Sequence, residues 1–223
     1  MDYLLLCQQV LNGMQLGVML FLMASGLTLV FGIMDLINLA HGSLFMVGAY
    51  LCATVYQMTG SFGIGLMAAL PGTALVGILI ETVALRKLYA RSHLDQVLAT
   101  YGLILFLNEL TKILWGPRAL FLDVPGVLSG TVEIIPGMPY PAFRLAIIIV
   151  GIIVAIGLYF LIARTRIGML IRASATNREI VGALGVNVKL LYTLVFGLGA
   201  LLAGLAGAMA GPLLAVEVGM GED

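Results

Sequence analysis

Between Tyr3 and Ile80 the chain carries a single Asp, Glu, Lys or Arg, the lone Asp35. The charge-free stretch from Tyr3 to Met34 would measure about 48 Å as a helix, against a hydrocarbon core of about 30 Å. The rest of the sequence obeys the same constraint. Of 223 residues 61% are hydrophobic and 10% are charged, whereas about a quarter of a soluble domain is charged. Mean hydropathy is +1.13. This composition belongs to an integral membrane protein. In lipid every backbone polar group needs an internal partner, so the expected fold is all-α, a polytopic helical bundle. A net charge of zero says less than where the charges sit. No Lys or Arg precedes the first apolar run, so no cleaved signal peptide is expected.

The spacing of the apolar runs predicts about six spans. Gln8, Gln9, Asn12 and Gln15 cluster on one helical face, which places residues 3–12 along the interface and the first crossing from about Gly13 to Ile33. Gly13 and Gly17 stand four apart, a pair that lets another helix backbone approach. The second crossing opens with Asn38, His41, Gly42 and Ser43 in otherwise lipid-compatible sequence. Polar groups and glycines at that depth point to a broken or re-entrant helix that faces protein or a water-filled cavity. Pro71 and Gly72 should kink the third span, about Ile64 to Leu85. Val97 to Trp115 and Leu145 to Ala163 make two more, and Leu190 to Val216 makes the last. This last one carries Gly204, Gly207 and Gly211 in a ladder of small residues suited to tight packing.

Charge orients the bundle. Arg86, Lys87 and Arg91 mark one loop as cytoplasmic, and Arg164 to Lys189 holds five of the eleven basic residues and marks a second. The segment between them, Gly116 to Phe143, holds five of the seven prolines and belongs outside. Glu217, Glu222 and Asp223 then follow on the outer side. Within the larger basic loop a short helix is predicted. Thr176 is placed to cap it, Glu179 to reach back as in a capping box, and Gly185 to end it in the left-handed conformation. Positive charge alone fixes topology, but a capped helix adds order that a passive loop lacks, and a docking surface is the favoured reading.

Catalysis has little to stand on. There is no GxxxxGK[ST] and no HExxH, and the two histidines lie on different segments. Cys7 and Cys52 have neither CxxC spacing nor a neighbouring His, so they are read as small apolar residues with no metal. Asn38 and His41 either satisfy backbone groups freed at the helix break or contact a passing polar solute, with the first favoured on the residues alone. Glu109 and Lys112 are read as a structural i, i+3 pair with Lys112 reaching outward, and Glu81 as an interfacial charge. A secondary transporter or channel is the competing class. It would want a carboxylate at mid-membrane, and these acids sit near span ends.

The run Asn38-Leu39-Ala40-His41-Gly42 with Phe45-Met46-Val47-Gly48-Ala49-Tyr50, preceded by Gly26-Leu27-Thr28-Leu29-Val30-Phe31-Gly32, closely resembles the N-terminal signature of branched-chain amino-acid ABC transporter permeases. Arg172-Ala173, Asn177, Gly185 and the run Leu202-Ala203-Gly204-Leu205-Ala206-Gly207 resemble that family's cytoplasmic loop and following helix. The resemblance implies an inner-membrane importer in which two permease subunits, identical or homologous, form the pathway. Two cytoplasmic ATPases would bind the coupling helices, and an external binding protein would deliver substrate. ATP would be bound by the partner ATPase, with no cofactor in this chain, and nucleic acid is not among the partners implied. Carried onto this sequence, the solute pathway would include Asn38, His41, Gly42 and Ser43. The ATPase-coupling loop would include Arg172, Thr176, Asn177, Arg178, Glu179, Gly182 and Gly185. Members of the family usually continue past the position equivalent to Asp223. Residues 1–223 are therefore read as one transmembrane permease domain lacking the family's C-terminal spans.

Overall fold

The computed structural model describes residues 3–89 and 91–222. Asp223, expected on the outer side, lies outside them. Eight helices carry the fold: α1 (Tyr3–Met34), α2 (His41–Thr59), α3 (Phe62–Val83), α4 (His93–Trp115), α5 (Ala142–Arg164), α6 (Arg166–Thr176), α7 (Arg178–Ala183) and α8 (Val188–Ala210). Five of them, α1, α3, α4, α5 and α8, are long and apolar enough to cross a membrane. The helix α2 is shorter and more polar, and its first half is buried within the bundle.

The organising element is α8. From Val195 onward nearly every residue is buried, and α1, α2 and α3 all pack on it. Small residues make this possible. A Cβ on Gly48 or Gly204 would run into the facing backbone or into Thr73, and one on Gly207 would overlap the Phe45 carbonyl. A side chain at Gly26 would meet the Gly199 carbonyl and the His41 ring. The ladder expected in the last span is therefore the seam of the fold, with Gly211 at its looser outer end against Leu122 and Val216.

A Cβ on Gly13 or Gly17 would meet nothing within 4 Å among the described residues. Nor does the sequence break α1 near residue 12. One helix runs unbroken through 32 residues, and one member of the polar cluster, Asn12, finds partners across the bundle. Asn12 Oδ1 accepts from Arg144 Nη1 at 2.9 Å and from Tyr140 Oη at 3.3 Å. Pro71 sits inside a continuous α3.

The outer segment between α4 and α5 is extended, as its prolines require. It contains an antiparallel hairpin, β1 (Thr131–Ile135) with β2 (Met138–Pro141), turned at Gly137 with φ +86°. After α8 the chain folds back. Leu120 pairs with Val216, the Gly219 N–H reaches Met46 Sδ at 3.4 Å, and Gly221 lies backbone to backbone against Gly42.

Candidate functional site

Two regions collect the residues singled out by sequence, one at membrane depth and one on the cytoplasmic side.

The first begins where α1 ends. Asp35 adopts a left-handed conformation, φ +51°, which Asp tolerates better than most side chains. The chain then runs without regular structure to Ala40 before α2 starts at His41. His41 stands beside Gly26, eight residues back from the inner end of α1, and Gly26 itself faces Gly199 near the middle of α8. The segment 35–40 thus carries the chain from the inner face back to membrane depth, and α2 starts there. The break foreseen within the second crossing lies at its entrance.

A buried break leaves backbone groups to be satisfied. The sequence reading gave this task to Asn38 and His41, but the side chain that performs it is Gln96. Its Oε1 accepts from the Ile37 N–H at 3.2 Å, and its amide donates to the Leu88 carbonyl at 3.3 Å and the Arg91 carbonyl at 3.4 Å. One amide from α4 therefore ties the re-entrant segment to the inner loop. Gln96 lies one residue before the expected start of its span, and only three-dimensional proximity reveals it.

Asn38 and His41 are then left over. Both are almost wholly buried, yet neither the Asn38 amide nor either His41 ring nitrogen makes a hydrogen bond among the described residues, and the Ser43 hydroxyl is in the same state. The Met23 carbonyl approaches the His41 ring without closing a hydrogen bond. Asn38 and His41 border a cleft of about 360 Å³ that is otherwise lined by apolar side chains of α1, by Leu39 and by Gly42 against Gly221. Buried polar groups are normally paired. An unpaired set at the edge of an apolar cleft suits a ligand with an aliphatic body and a polar head.

The second region is the basic loop, which contains two helices. Thr165 caps α6 by accepting from the Gly168 N–H at 3.0 Å. The expected cap of the next helix, Thr176, is instead the last residue of α6, and its hydroxyl donates to the Arg172 carbonyl at 3.1 Å. Asn177 caps α7, accepting from the Glu179 and Ile180 N–H groups at 3.1 and 3.0 Å. The expected stop is where the sequence put it. Gly185 has φ +86°, its N–H bonds to Gly182 O, and the Val186 N–H bonds to Val181 O, which together make a Schellman motif. Ile180 and Leu184 are 58% and 77% exposed, flanked by exposed Arg172, Arg178, Glu179 and Gly182. Asp35, Thr176 and Asn177 line a polar cleft of about 350 Å³ between this loop and the end of α1.

A network that the sequence did not disclose fastens the inner ends of the spans. Glu81 is fully buried and so is not an interfacial charge. It accepts from Arg86 Nε and Nη2 at 3.1 and 2.9 Å, from Tyr89 Oη at 2.6 Å and from Thr193 Oγ1 at 2.9 Å. Four donor bonds saturate the carboxylate and join α3, the inner loop and α8. Burial and the Glu81 carboxylate push the Tyr89 phenol well above its ordinary range, and the bond to Glu81 raises Arg86.

Comparison with known proteins agrees with this architecture. Residues 9–220 match the family described as "Branched-chain amino acid transport system / permease component". The chain is 30% identical to the high-affinity branched-chain amino acid transport system permease protein BraD of Pseudomonas aeruginosa, over 92% of this chain and 70% of that protein. It is 28% identical to the permease protein LivH of Escherichia coli K12, over 96% of this chain and 73% of the relative. A probable LivH permease of Methanocaldococcus jannaschii is 29% identical over 86% of this chain and 62% of its own length. No solved structure matches. Because the family match runs from the outer half of α1 to the tail beyond α8, taking in both regions described above, the chain belongs to the branched-chain amino acid transport permease family.

Proposed function

We propose that this inner-membrane permease forms the path of an ATP-binding-cassette importer for branched-chain amino acids or related small solutes, and that separate ATPase subunits drive it through the loop 164–189. The observation that carries the reading is the pairing of unsatisfied Asn38 and His41 with an apolar cleft at the entrance to α2. An aliphatic side chain would fill the cleft while the polar head engages the amide and imidazole. The permease family is one of transporter components, not of enzymes, so hydrolysis of ATP is assigned to the partner chain. Exposed Ile180 on the short α7 and Leu184 just after it, with Arg172, Arg178 and Glu179 around them, would seat in that ATPase. A second permease subunit, homologous or identical, and an external binding protein complete the proposed importer. ATP moves the spans only by stabilising inward and outward states unequally.

The test is purification in mild detergent followed by uptake. A Walker-motif ATPase should copurify, and cells containing the assembled complex should accumulate labelled leucine, isoleucine or valine. Absence of any ATPase would refute the importer reading. His41→Ala should lower uptake at unchanged expression, and normal uptake in that variant would remove the cleft from the pathway.

A further inference from the structure

The chain leaves α5 for the basic loop through a sharp turn. Thr165 is extended, with φ −102° and ψ 160°, and Gly168 of α6 lies so close to the carbonyls of Leu161 and Ile162 that a Cβ there would overlap them. The two helices therefore meet backbone to backbone. Beside this contact opens a cleft of about 450 Å³, lined by Tyr159, Ile162 and Ala163 of α5 and by Arg172 of α6.

Its level in the bilayer follows from α5. The 23 residues of this helix measure about 35 Å, close to the hydrocarbon core of about 30 Å, and Arg164 ends it on the cytoplasmic side. Tyr159, five residues earlier, stands about 7.5 Å inside that end, at the boundary between headgroups and acyl chains that tyrosine favours. Outward from the cleft, Ile156, Ile153, Ile152 and Ile149 recur at helical spacing and are each 49% to 62% exposed. They form one apolar track that continues the cleft toward the middle of the span.

The charge at the inner end of this track has no protein partner. No Asp or Glu occurs between Glu133 and Glu179, and among the described residues Arg164, Arg166 and Arg172, all exposed, make no ion pair. An unpaired guanidinium at the edge of a low-dielectric layer attracts an anion, and its planar fork matches a phosphate. We infer that the cleft binds an anionic phospholipid of the cytoplasmic leaflet. Its phosphate lies on Arg172, with the Tyr159 hydroxyl as a second donor, and one acyl chain runs outward past Ile162 along the isoleucine track. A phosphatidylcholine carries its own cation beside the phosphate and gains less from Arg172. The lipid site stands apart from the His41 cleft, at the border where the basic loop meets the bilayer, and it is filled whatever solute crosses.

Photolabelling tests the site. The permease, purified in mild detergent with the subunits it retains, is placed in phosphatidylcholine nanodiscs with a trace of phosphatidylglycerol or phosphatidylcholine bearing the same photoactivatable acyl chain. Adducts are then mapped by peptide mass spectrometry. Phosphatidylglycerol should label residues 152–163 about fivefold more than phosphatidylcholine, the preference that about one basic residue confers on an anionic lipid. Arg172→Gln should bring that ratio to about one. Ala163→Trp, which fills the cleft and leaves every charge in place, should remove most of the labelling. Lys87→Gln, which removes an exposed cation of the other inner loop, should keep the full ratio. Equal labelling by the two lipids, or unchanged labelling in Ala163→Trp, overturns the proposal. So does a ratio that falls as far in Lys87→Gln as in Arg172→Gln, since general attraction to the inner face would then suffice. Loss of the phosphatidylglycerol adducts on adding excess soluble glycerol phosphate would mean that a free anion occupies Arg172, and absence of adducts with both lipids would mean that protein covers the cleft. Either result also refutes the lipid site.

Discussion

Thr176 and Asn177 are adjacent residues of the kind that cap helices, and only one of them caps. No Gly or Pro marks the end of α6, so local sequence offers no reason to prefer Asn177. The choice depends on α6 running on to Thr176, held by the packing of Ile171 and Ser174 in the bundle. Asn177→Ala should therefore cost α7 about 1 kcal/mol and, on the proposed function, weaken ATPase association and couple hydrolysis less tightly to uptake. Thr176→Ala should do neither; ATPase retained on the immobilised permease distinguishes the two. Glu81 gives the complementary lesson. Its sequence position suits a boundary carboxylate, and only the fold brings Thr193 and Tyr89 to it. Tyr89→Phe removes one hydrogen bond to a charged group and should lower thermal stability in detergent by about 1.5 kcal/mol or more at neutral pH. The folded phenol titrates above the unfolded one. Its contribution is therefore complete below the ordinary tyrosine value of about 10 and is lost as pH rises beyond that. The gap between wild type and Tyr89→Phe should close above about pH 10, and a gap that widens there would contradict the network.

At the scale of elements, sequence and fold agree where the signal is steric and part where it is polar. Small residues four apart in α8 announce close helix packing, and Gly204 and Gly207 deliver it against α2 and α3. The same spacing at Gly13 and Gly17 meets no neighbour among the described residues, since spacing records only that an approach is possible. Gly207→Val would drive a side chain into the Phe45 carbonyl, a backbone atom that cannot swing aside, and should lower stability by at least about 2 kcal/mol. Gly17→Val should leave the isolated chain unchanged within about 0.5 kcal/mol. Equal losses in the two variants, measured by thermal unfolding in detergent, would mean that α8 is not the seam. Polar residues in α1 misled in the other direction. Their clustering reads as an interfacial segment, but Asn12 is bound by Arg144 and Tyr140, more than a hundred residues away. Such partners leave no trace in local periodicity.

For the whole molecule, charge distribution made orientation legible before any contact was known. The basic loops around Arg86 and Arg164–Lys189 lie at the same end of the bundle, where Thr193 near the start of α8 meets Arg86 at the end of α3. The hairpin and its prolines lie at the other end, where Phe143 at the start of α5 packs edge-on against Phe62 at the start of α3. Eight of the eleven basic residues are in the first set, so the positive-inside rule leaves one orientation. Two positions test it. Val127 is 95% exposed beside the hairpin, and Leu184 is 77% exposed between α7 and α8. In a Cys7→Ser background, with Cys52 shielded by burial, Val127→Cys should react with an impermeant thiol reagent on intact cells. Leu184→Cys should react only after the membrane is permeabilised. The reverse pattern would turn the molecule over and place the proposed ATPase loop outside, where no ATP reaches it. Reaction of both positions on intact cells would mean that α5 does not carry the chain across the membrane. Only the first pattern leaves Asn38 and His41 where segment 35–40 places them, open to solute from one side and within reach of movements driven from the other.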